Sequence, residues 1–500
     1  MEIFVFVAYF VILFGVALFF FFNGSNQNQK DFFLGGRTMG PWVTAMSAQA
    51  SDMSAWLLMG LPGSILAFGF GQIWIGIGLA LGTAANWIFC AERLRRFSKA
   101  ANDSITVPQY LTNRFATSKK TLQIVCACIF LFAFTIYVSS AFVAGTSVFT
   151  TLFPGISERA ATTIFALIII GYTFLGGFRA VCWTDFFQGL LMLIALLAIP
   201  IIVVATQDLD TSLLSNVYEY TDGASGDIVS CEFGTGLFSA SWQDIASGLG
   251  WGLGYFGMPH IIVRFMSIEK PSMVKKSSVI AIVWVVFSIG AACLMAYQAR
   301  MLVADELLPI GAQKTVFIVM ARKFFPPIIS GFLLAAIMAA SVSTADSQLL
   351  VASSSFTSDM YQPVFRKEAS DKEVLWVGRI AVIVIAVIAY FIASSKGAGA
   401  QAIMNLVENA WGVFGAAFGP TILLSLFWKR FNYAGACAGV IVGALVDILW
   451  LVCLSSTGLY EIIPGFICGG LAAIIVTKCT KEPDAAVIEI FDRAMSEDSE

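Results

Sequence analysis

A carboxylate inside an apolar run is the first chemical signal in this chain. Residues 41 to 63 read PWVTAMSAQASDMSAWLLMGLPG, interrupted near the middle by Ser51, Asp52 and Ser54. An Asp at the centre of a membrane helix costs roughly 2.5 to 3.5 kcal/mol on insertion scales, so Asp52 needs a partner: Na⁺, H⁺ or a basic side chain. Small residues flank it (Ala45, Ser47, Ala48, Ala50, Ala55), which lets other helices approach or lets the backbone unwind and offer carbonyls to an ion. The plain structural alternative is an Asp that hydrogen-bonds a neighbouring helix.

A second oxygen-rich stretch is AAIMAASVSTADSQLL, residues 335 to 350. Ser343, Asp346 and Ser347 lie at i, i+3 and i+4, so one helical face can present all three. Oxygen donors without thiolates or imidazoles suit a hard cation. The hydroxyls could instead bond the helix's own carbonyls. Asp185, in WTD at the start of another apolar run, is a further candidate acid, with a helix N-cap as its ordinary explanation.

The third stretch, SWQDIASGLGWGLGYFGMPH at 241 to 260, carries five glycines from Gly248 to Gly257 and then Pro259. Each glycine costs about 1 kcal/mol against alanine in a helix, so a continuous helix is expensive there. Trp251 and Tyr255 stand at i and i+4, an aromatic face suited to a small solute with an apolar ring or a cationic nitrogen. A close-packed glycine face with two core aromatics is the rival explanation. Broken helices at corresponding positions of two halves point to a binding site between repeats.

The elements that must position these residues are membrane spans. Of 500 residues, 58% are hydrophobic and 12% charged, far below the roughly 25% charged content of soluble domains. Apolar stretches fall near 3 to 22, 41 to 66, 71 to 91, 122 to 152, 159 to 177, 183 to 205, 241 to 260, 277 to 303, 325 to 354, 374 to 393, 402 to 428, 433 to 453 and 462 to 477, about thirteen helices in all. The fold expected is all-α and polytopic. The first run lacks a basic leader and a cleavage site and reads as a retained span.

Basic residues cluster in alternate loops: Arg93 to Lys120, Arg179, Arg264 with Lys270, Lys275 and Lys276, Arg366 to Lys372, Lys429 with Arg430, and Lys478 with Lys481. The loop from Gln207 to Ser239 has six acids, Asp222 among them, and no Lys or Arg. The positive-inside rule then places the N-terminus outside and the C-terminus in the cytoplasm. Residues 1 to 480 form the transmembrane domain on this reading, and 481 to 500 a short acidic tail, solvated or partly helical. Arg37 in the GGRT turn and the pair Asn102 and Asp103 read as loop chemistry. A net charge of -3 on so apolar a chain says little about partners, and no basic stripe suggests nucleic acid, which is not expected as a partner. Ten scattered cysteines give no disulfide or zinc spacing, and His260 is the lone histidine. With no HExxH, nucleophile elbow or metal cluster, an enzyme is not expected.

Together these stretches resemble the sodium:solute symporter family, and within it the bacterial sodium/proline symporters. The resemblance rests on FLGGRTMGPWVTAMSAQASDMSAWLLMGLPG, GWGLGYFGMPHIIVRFM, STADSQLL, AWGVFGAAFGP and GLYEIIPGF, in that order. It implies a five-plus-five inverted repeat at about 41 to 428, one extra span before it and two after it at 433 to 477. It implies Na⁺-coupled uptake of L-proline across a bacterial cytoplasmic membrane by alternating access, with no cofactor beyond Na⁺ and no obligate protein partner. A first sodium site would use carbonyls of Ala50, Met53 and Ala340 and hydroxyls of Ser343 and Thr344, with Asp52 supplying charge nearby. The solute pocket would involve Ser54, Trp56, Gly60, Tyr137, Trp251, Tyr255 and Pro259.

Two residues depart from the family pattern. Ala55 stands where glycine is expected, and Asp346 where a hydroxyl is expected. Asp185, Asp346 and Ser347, with Ser343, are therefore a candidate second cation or proton site. The alternatives are H⁺ coupling, a different small solute such as another amino acid, a monocarboxylate or pantothenate, and a transporter-like solute sensor.

Overall fold

Lipid offers no hydrogen bonds to a peptide group, so each long apolar run closes its backbone bonds internally as a helix. The computed structural model describes residues 1–22, 28–221, 226–396 and 400–496; Asp222 and the last four residues of the tail lie outside the described residues. In chain order the principal helices are α1 (Glu2–Phe22), α2 (Pro41–Asp52), α3 (Gly60–Phe68), α4 (Phe70–Ala100), α5 (Thr121–Leu152), α6 (Glu158–Thr206), α7 (Trp242–Gly250) and α8 (Pro259–Ser267). They continue with α9 (Val274–Leu302), α10 (Pro327–Ser354), α11 (Asp371–Lys396), α12 (Ala400–Phe427), α13 (Tyr433–Cys453), α14 (Ile462–Cys479) and α15 (Ala485–Met495). The acidic loop carries a small antiparallel hairpin, Tyr218–Thr221 with Ile228–Cys231.

Among the described residues ten helices are long and apolar enough to cross a membrane. The sequence count of about thirteen differs for physical reasons. The elements from 41 to 68 and from 242 to 267 are each assembled from short helices, and the spans expected at 159–177 and 183–205 join directly within α6. The joint is Gly177, at φ 68° and ψ 177°, a conformation essentially confined to glycine. Asp185 consequently sits inside a helical arm, where N-capping does not arise.

Five elements from 41 to 206 are followed by five from 242 to 427, and a broken helix opens each set. In the first, the helix ends at Asp52, Met53 and Ser54 leave helical geometry, and a short 3-10 turn at Ala55–Leu57 leads into α3. In the second, α7 tightens into a 3-10 stretch at Trp251–Phe256 before Pro259 opens α8. Helix α10 packs against α5, α6 and α2, while α13 and α14 pair with each other and with α12.

Arg37 is more than loop chemistry. It is buried and donates to Asp103 Oδ1 (2.8 Å), Ser98 Oγ (3.1 Å), the Ser104 carbonyl (2.8 Å) and the Met266 carbonyl, tying the turn before α2 to the ends of α4 and α8. Lys30 pairs with the other oxygen of Asp103. The tail is partly helical, as expected, but it is not left free in solvent. Helix α15 docks on the basic loops: the Val487 carbonyl accepts from Arg114 (3.1 Å), Lys429 pairs with Asp492 (2.7 Å), and Val487 and Ala494 are buried. The acidic tail and the most basic connections therefore share one face.

Partial burial works to raise the Asp103 pKa, but Lys30 and Arg37 overcome it and hold the carboxyl below its ordinary range. A depressed pKa contributes stability above the unfolded value, near 4, that is lost as pH falls through the folded value. Asp103→Asn should lower the thermal unfolding midpoint at pH 7, because the amide leaves Arg37 an acceptor but removes the charge that Arg37 and Lys30 share and sets an NH2 against one of them, a cost of about 1–3 kcal/mol. The deficit relative to wild type should begin to shrink as pH falls below about 4, where the unfolded carboxyl protonates, and close only at the lower pH where the native carboxyl protonates as well. A pH-independent deficit would contradict this account.

Candidate functional site

The break in the first element frees backbone groups, and α10 meets it with hydroxyls. Ser343 Oγ lies 2.7 Å from the Ala50 carbonyl and 3.2 Å from the Ala340 carbonyl, so three of the oxygens expected to hold Na⁺ converge at hydrogen-bonding distance. Thr344 is fully buried and its hydroxyl has no partner. Met53 sits on the break itself, its N–H donating to the Gln49 carbonyl (2.9 Å). Two carbonyls around one hydroxyl, with an orphaned hydroxyl on the next residue of the same helix, are a donor set that fits a hard monovalent cation. Ser341, by contrast, bonds only its own helix, at the Ile337 carbonyl (3.0 Å).

Asp52 finds its partner in the second broken element. The Tyr255 hydroxyl donates to Asp52 Oδ2 at 2.5 Å, with both residues buried. This bond joins the ion side to the aromatic side. The Trp56 and Trp251 rings lie 6.5 Å apart, tilted by 32°, and Trp251 also meets Trp411 (6.2 Å) and Tyr460 (5.3 Å). Ser54 caps the short 3-10 turn, accepting from the Trp56 N–H. Gly60 and Pro259 begin α3 and α8, flanking the two breaks. Tyr137, on α5, sits edge-on to His260 at 6.2 Å with its hydroxyl unpartnered.

Side chains satisfy the carbonyls freed in the second element. Asn86 Nδ2 donates to the Tyr255 carbonyl (2.8 Å) and Trp411 Nε1 to the Trp251 carbonyl (2.8 Å). The glycines are needed for contact as well as for the break. A Cβ on Gly82 would stand 2.3 Å from the Gly252 carbonyl oxygen, and one on Gly254 would stand 1.9 Å from Trp411 Nε1. Asn86, Trp411 and Tyr460 had no distinguishing signal beyond their place in apolar motifs.

The second acidic group has an owner that sequence reading misplaced. Arg264, expected among the loop cations, is buried on α8 and pairs with Asp185 Oδ2 at 2.9 Å. The same guanidinium donates to Ser347 Oγ (2.5 Å) and Ser47 Oγ (2.7 Å), and Ser47 also bonds Asp185 (2.6 Å). Asp346 accepts from Ser347 (3.2 Å), and its other oxygen has no partner. Two buried carboxylates thus face one guanidinium. An arginine set among apolar residues in HIIVRFM was the signal available for this.

Arg264→Gln should destabilise the protein by about 3–5 kcal/mol, because it strands two carboxylates in a low-dielectric site. Adding Asp185→Asn should recover most of that loss. Thermal unfolding of the purified protein followed by tryptophan fluorescence measures both, and additive effects in the double variant would exclude the pairing.

Comparison with known proteins accords with this geometry. The chain is 41% identical over 466 residues to the high-affinity proline transporter PutP of Bacillus subtilis, covering 93% of this chain and 96% of that one. It is 40% identical over 489 residues to a sodium/proline symporter of Staphylococcus aureus, covering 96% and 93%. Among solved structures, a Na⁺-coupled sialic acid symporter in a substrate-bound outward-open state superposes with a TM-score of 0.76 at 21% identity, over 97% of this chain and 98% of that one. The fold is therefore that of the five-plus-five sodium symporters. The model of the sodium:solute symporter family matches residues 32–443, and the chain belongs to that family.

Proposed function

We propose that this chain carries L-proline together with Na⁺ into a bacterial cell across its cytoplasmic membrane. The observation that carries the reading is the bond from Tyr255 to Asp52, which ties the aromatic group of the second broken helix to the break that offers Ala50 to Ser343. Proline transporters at 40–41% identity over nearly the full chain supply the solute. The pyrrolidine ring would lie against Trp56, Trp251 and Tyr255, and its charged ends would meet backbone groups freed at the breaks, with Ser54, Gly60, Tyr137 and Pro259 around them.

The Na⁺ ligands in this reading are the carbonyls of Ala50, Met53 and Ala340 and the hydroxyls of Ser343 and Thr344. An ion there ties α10 to the broken helix, orders the break, and so raises affinity for the solute beside it; the coupling is reciprocal. One charge crossing 100 mV supplies about 2.3 kcal/mol, and a tenfold gradient adds about 1.4 kcal/mol, enough together for several-hundredfold accumulation. Because Arg264 already answers Asp185, a second positive charge, Na⁺ or H⁺, would belong to Asp346 and Ser347.

The chain would cross thirteen times if each broken element crosses once and α6 crosses twice. The N-terminus would then lie outside and the C-terminus inside, in keeping with α15 resting on the basic loops.

Proteoliposomes of the purified protein should accumulate labelled proline under an imposed inward Na⁺ gradient and not under a matched H⁺ gradient. Asp52→Ala should abolish accumulation. Ser343→Ala should raise the half-saturating Na⁺ concentration about tenfold or more, the equivalent of losing roughly 1.4 kcal/mol of ion binding. Failure of proline to accumulate under any gradient would sink the substrate reading and leave the family assignment intact.

A further inference from the structure

Outside the site just described, a second group of acids lies where α12 meets the two C-terminal helices. Asp447, on α13, is fully buried and neither of its carboxylate oxygens has a hydrogen-bond partner. Glu461, at the start of α14, is 6% exposed and its Oε1 is likewise unpartnered. The two side chains aim at one point. A Cβ built on Gly412 of α12 would stand 2.9 Å from Asp447 Oδ1, 3.4 Å from Glu461 Cγ and 3.5 Å from Glu461 Oε1. Glycine at 412 keeps that point open.

Among the described residues no Lys, Arg or His forms an ion pair with these acids. The charged group that acts on both Asp447 and the half-buried Glu408 is Glu461, another carboxylate. Like charges in a low-dielectric setting cannot all stay ionised without a counter-charge, and an uncompensated buried carboxylate is strongly unfavourable. Among the described residues no three His, Cys, Asp or Glu side chains converge as a divalent or transition-metal site requires. Two carboxylate oxygens above a bare glycine backbone are an oxygen-only donor set suited to a single positive charge.

A cavity reaches one of the two acids. Glu461 and Glu408 line a cavity of about 450 Å³ together with Gln72, Asp244, Trp251 and Tyr460. Trp251 forms part of the aromatic group described above, and two of the rings that meet it adjoin the acids: Tyr460 precedes Glu461, and Trp411 precedes Gly412. Tyr460 further donates from its hydroxyl to the Glu408 carbonyl (2.8 Å).

We propose that Asp447 and Glu461 hold one monovalent cation, Na⁺ or H⁺, over the backbone of Gly412, at a site separate from the Ser343 oxygens. Its occupancy sets how Tyr460 and Trp411 lie against Trp251. The cavity thus serves as a cation antechamber to the aromatic group, with Glu408 at its lip drawing positive charge inward.

The test uses the purified full-length protein without solute, so its outcome does not depend on which solute is carried. Equilibrium ²²Na⁺ binding and proton uptake between about pH 5 and 8, the range flanking the unperturbed histidine pKa, are counted per molecule for wild type, Asp447→Asn, Glu461→Gln and Gly412→Ala. Asn and Gln keep the shape and remove the charge, while Gly412→Ala fills the gap and keeps both acids. Loss of one bound Na⁺ in the folded variants identifies Na⁺ as the occupant, and loss of one proton equivalent identifies H⁺. Ser343→Ala should weaken a different Na⁺ about tenfold and leave this count unchanged. Unchanged Na⁺ and proton counts in every variant that retains the wild-type unfolding profile would overturn the proposal.

Discussion

The architecture depends on how backbone groups released inside a membrane protein are answered. Two helices are broken at the level of the aromatic group, and each break leaves carbonyls that neither water nor lipid can satisfy. The molecule answers them differently. In the second element Asn86 and Trp411 donate to the Tyr255 and Trp251 carbonyls, fixing that break from both sides. In the first, the Ala50 carbonyl receives a serine hydroxyl from a helix nearly three hundred residues away. A hydroxyl can turn away and accept as readily as it donates, so this is the break that a cation can take over.

Charge placement follows the same division. Deep in the fold, Arg264 gathers Asp185, Ser47 and Ser347 around one guanidinium, whose planar fork of donors suits several oxygens at once. Asp52 is answered by a neutral phenol instead of a base. The difference separates a fixed structural pair from an acid beside the coupling machinery. Asp346 falls between these cases, with one oxygen engaged by Ser347 and the other unpartnered.

Much of this was legible in the sequence because membrane insertion penalises ambiguity. Apolar length marked the helices, and an Asp, a glycine run and a hydroxyl cluster marked the three places where apolarity fails. What could not be read were contacts between distant segments. Arg264 looks like a loop cation because it follows a broken helix and precedes a lysine-rich connection; only the packing of α8 against α2 turns it inward. The direct joint of two spans at Gly177 is invisible because one glycine among many carries it. The tail reads as polar, yet Val487 and Ala494 give it an apolar face that binds the basic loops.

The balance of energies explains why so few residues suffice for coupling. A hydroxyl–carbonyl bond contributes about 1 kcal/mol net, so the contact between Ser343 and Ala50 alone is too weak to hold one arrangement of the helices. A ligand shifts a two-state equilibrium only by its difference in affinity for the two states, and carrying a population from 1:99 to 99:1 takes about 5.5 kcal/mol. One hydrogen bond cannot supply that. An ion gathering several oxygens from both α2 and α10 can, provided those oxygens separate when the helices do. The tight glycine crossing of α4 over the 3-10 stretch keeps the second break from absorbing the motion, because Gly82 and Gly252 leave no space between their backbones. The junction of the first broken helix with α10, where the proposed cation ligands lie, has no such backbone-to-backbone crossing and is held by the Ser343 hydroxyl on the Ala50 carbonyl.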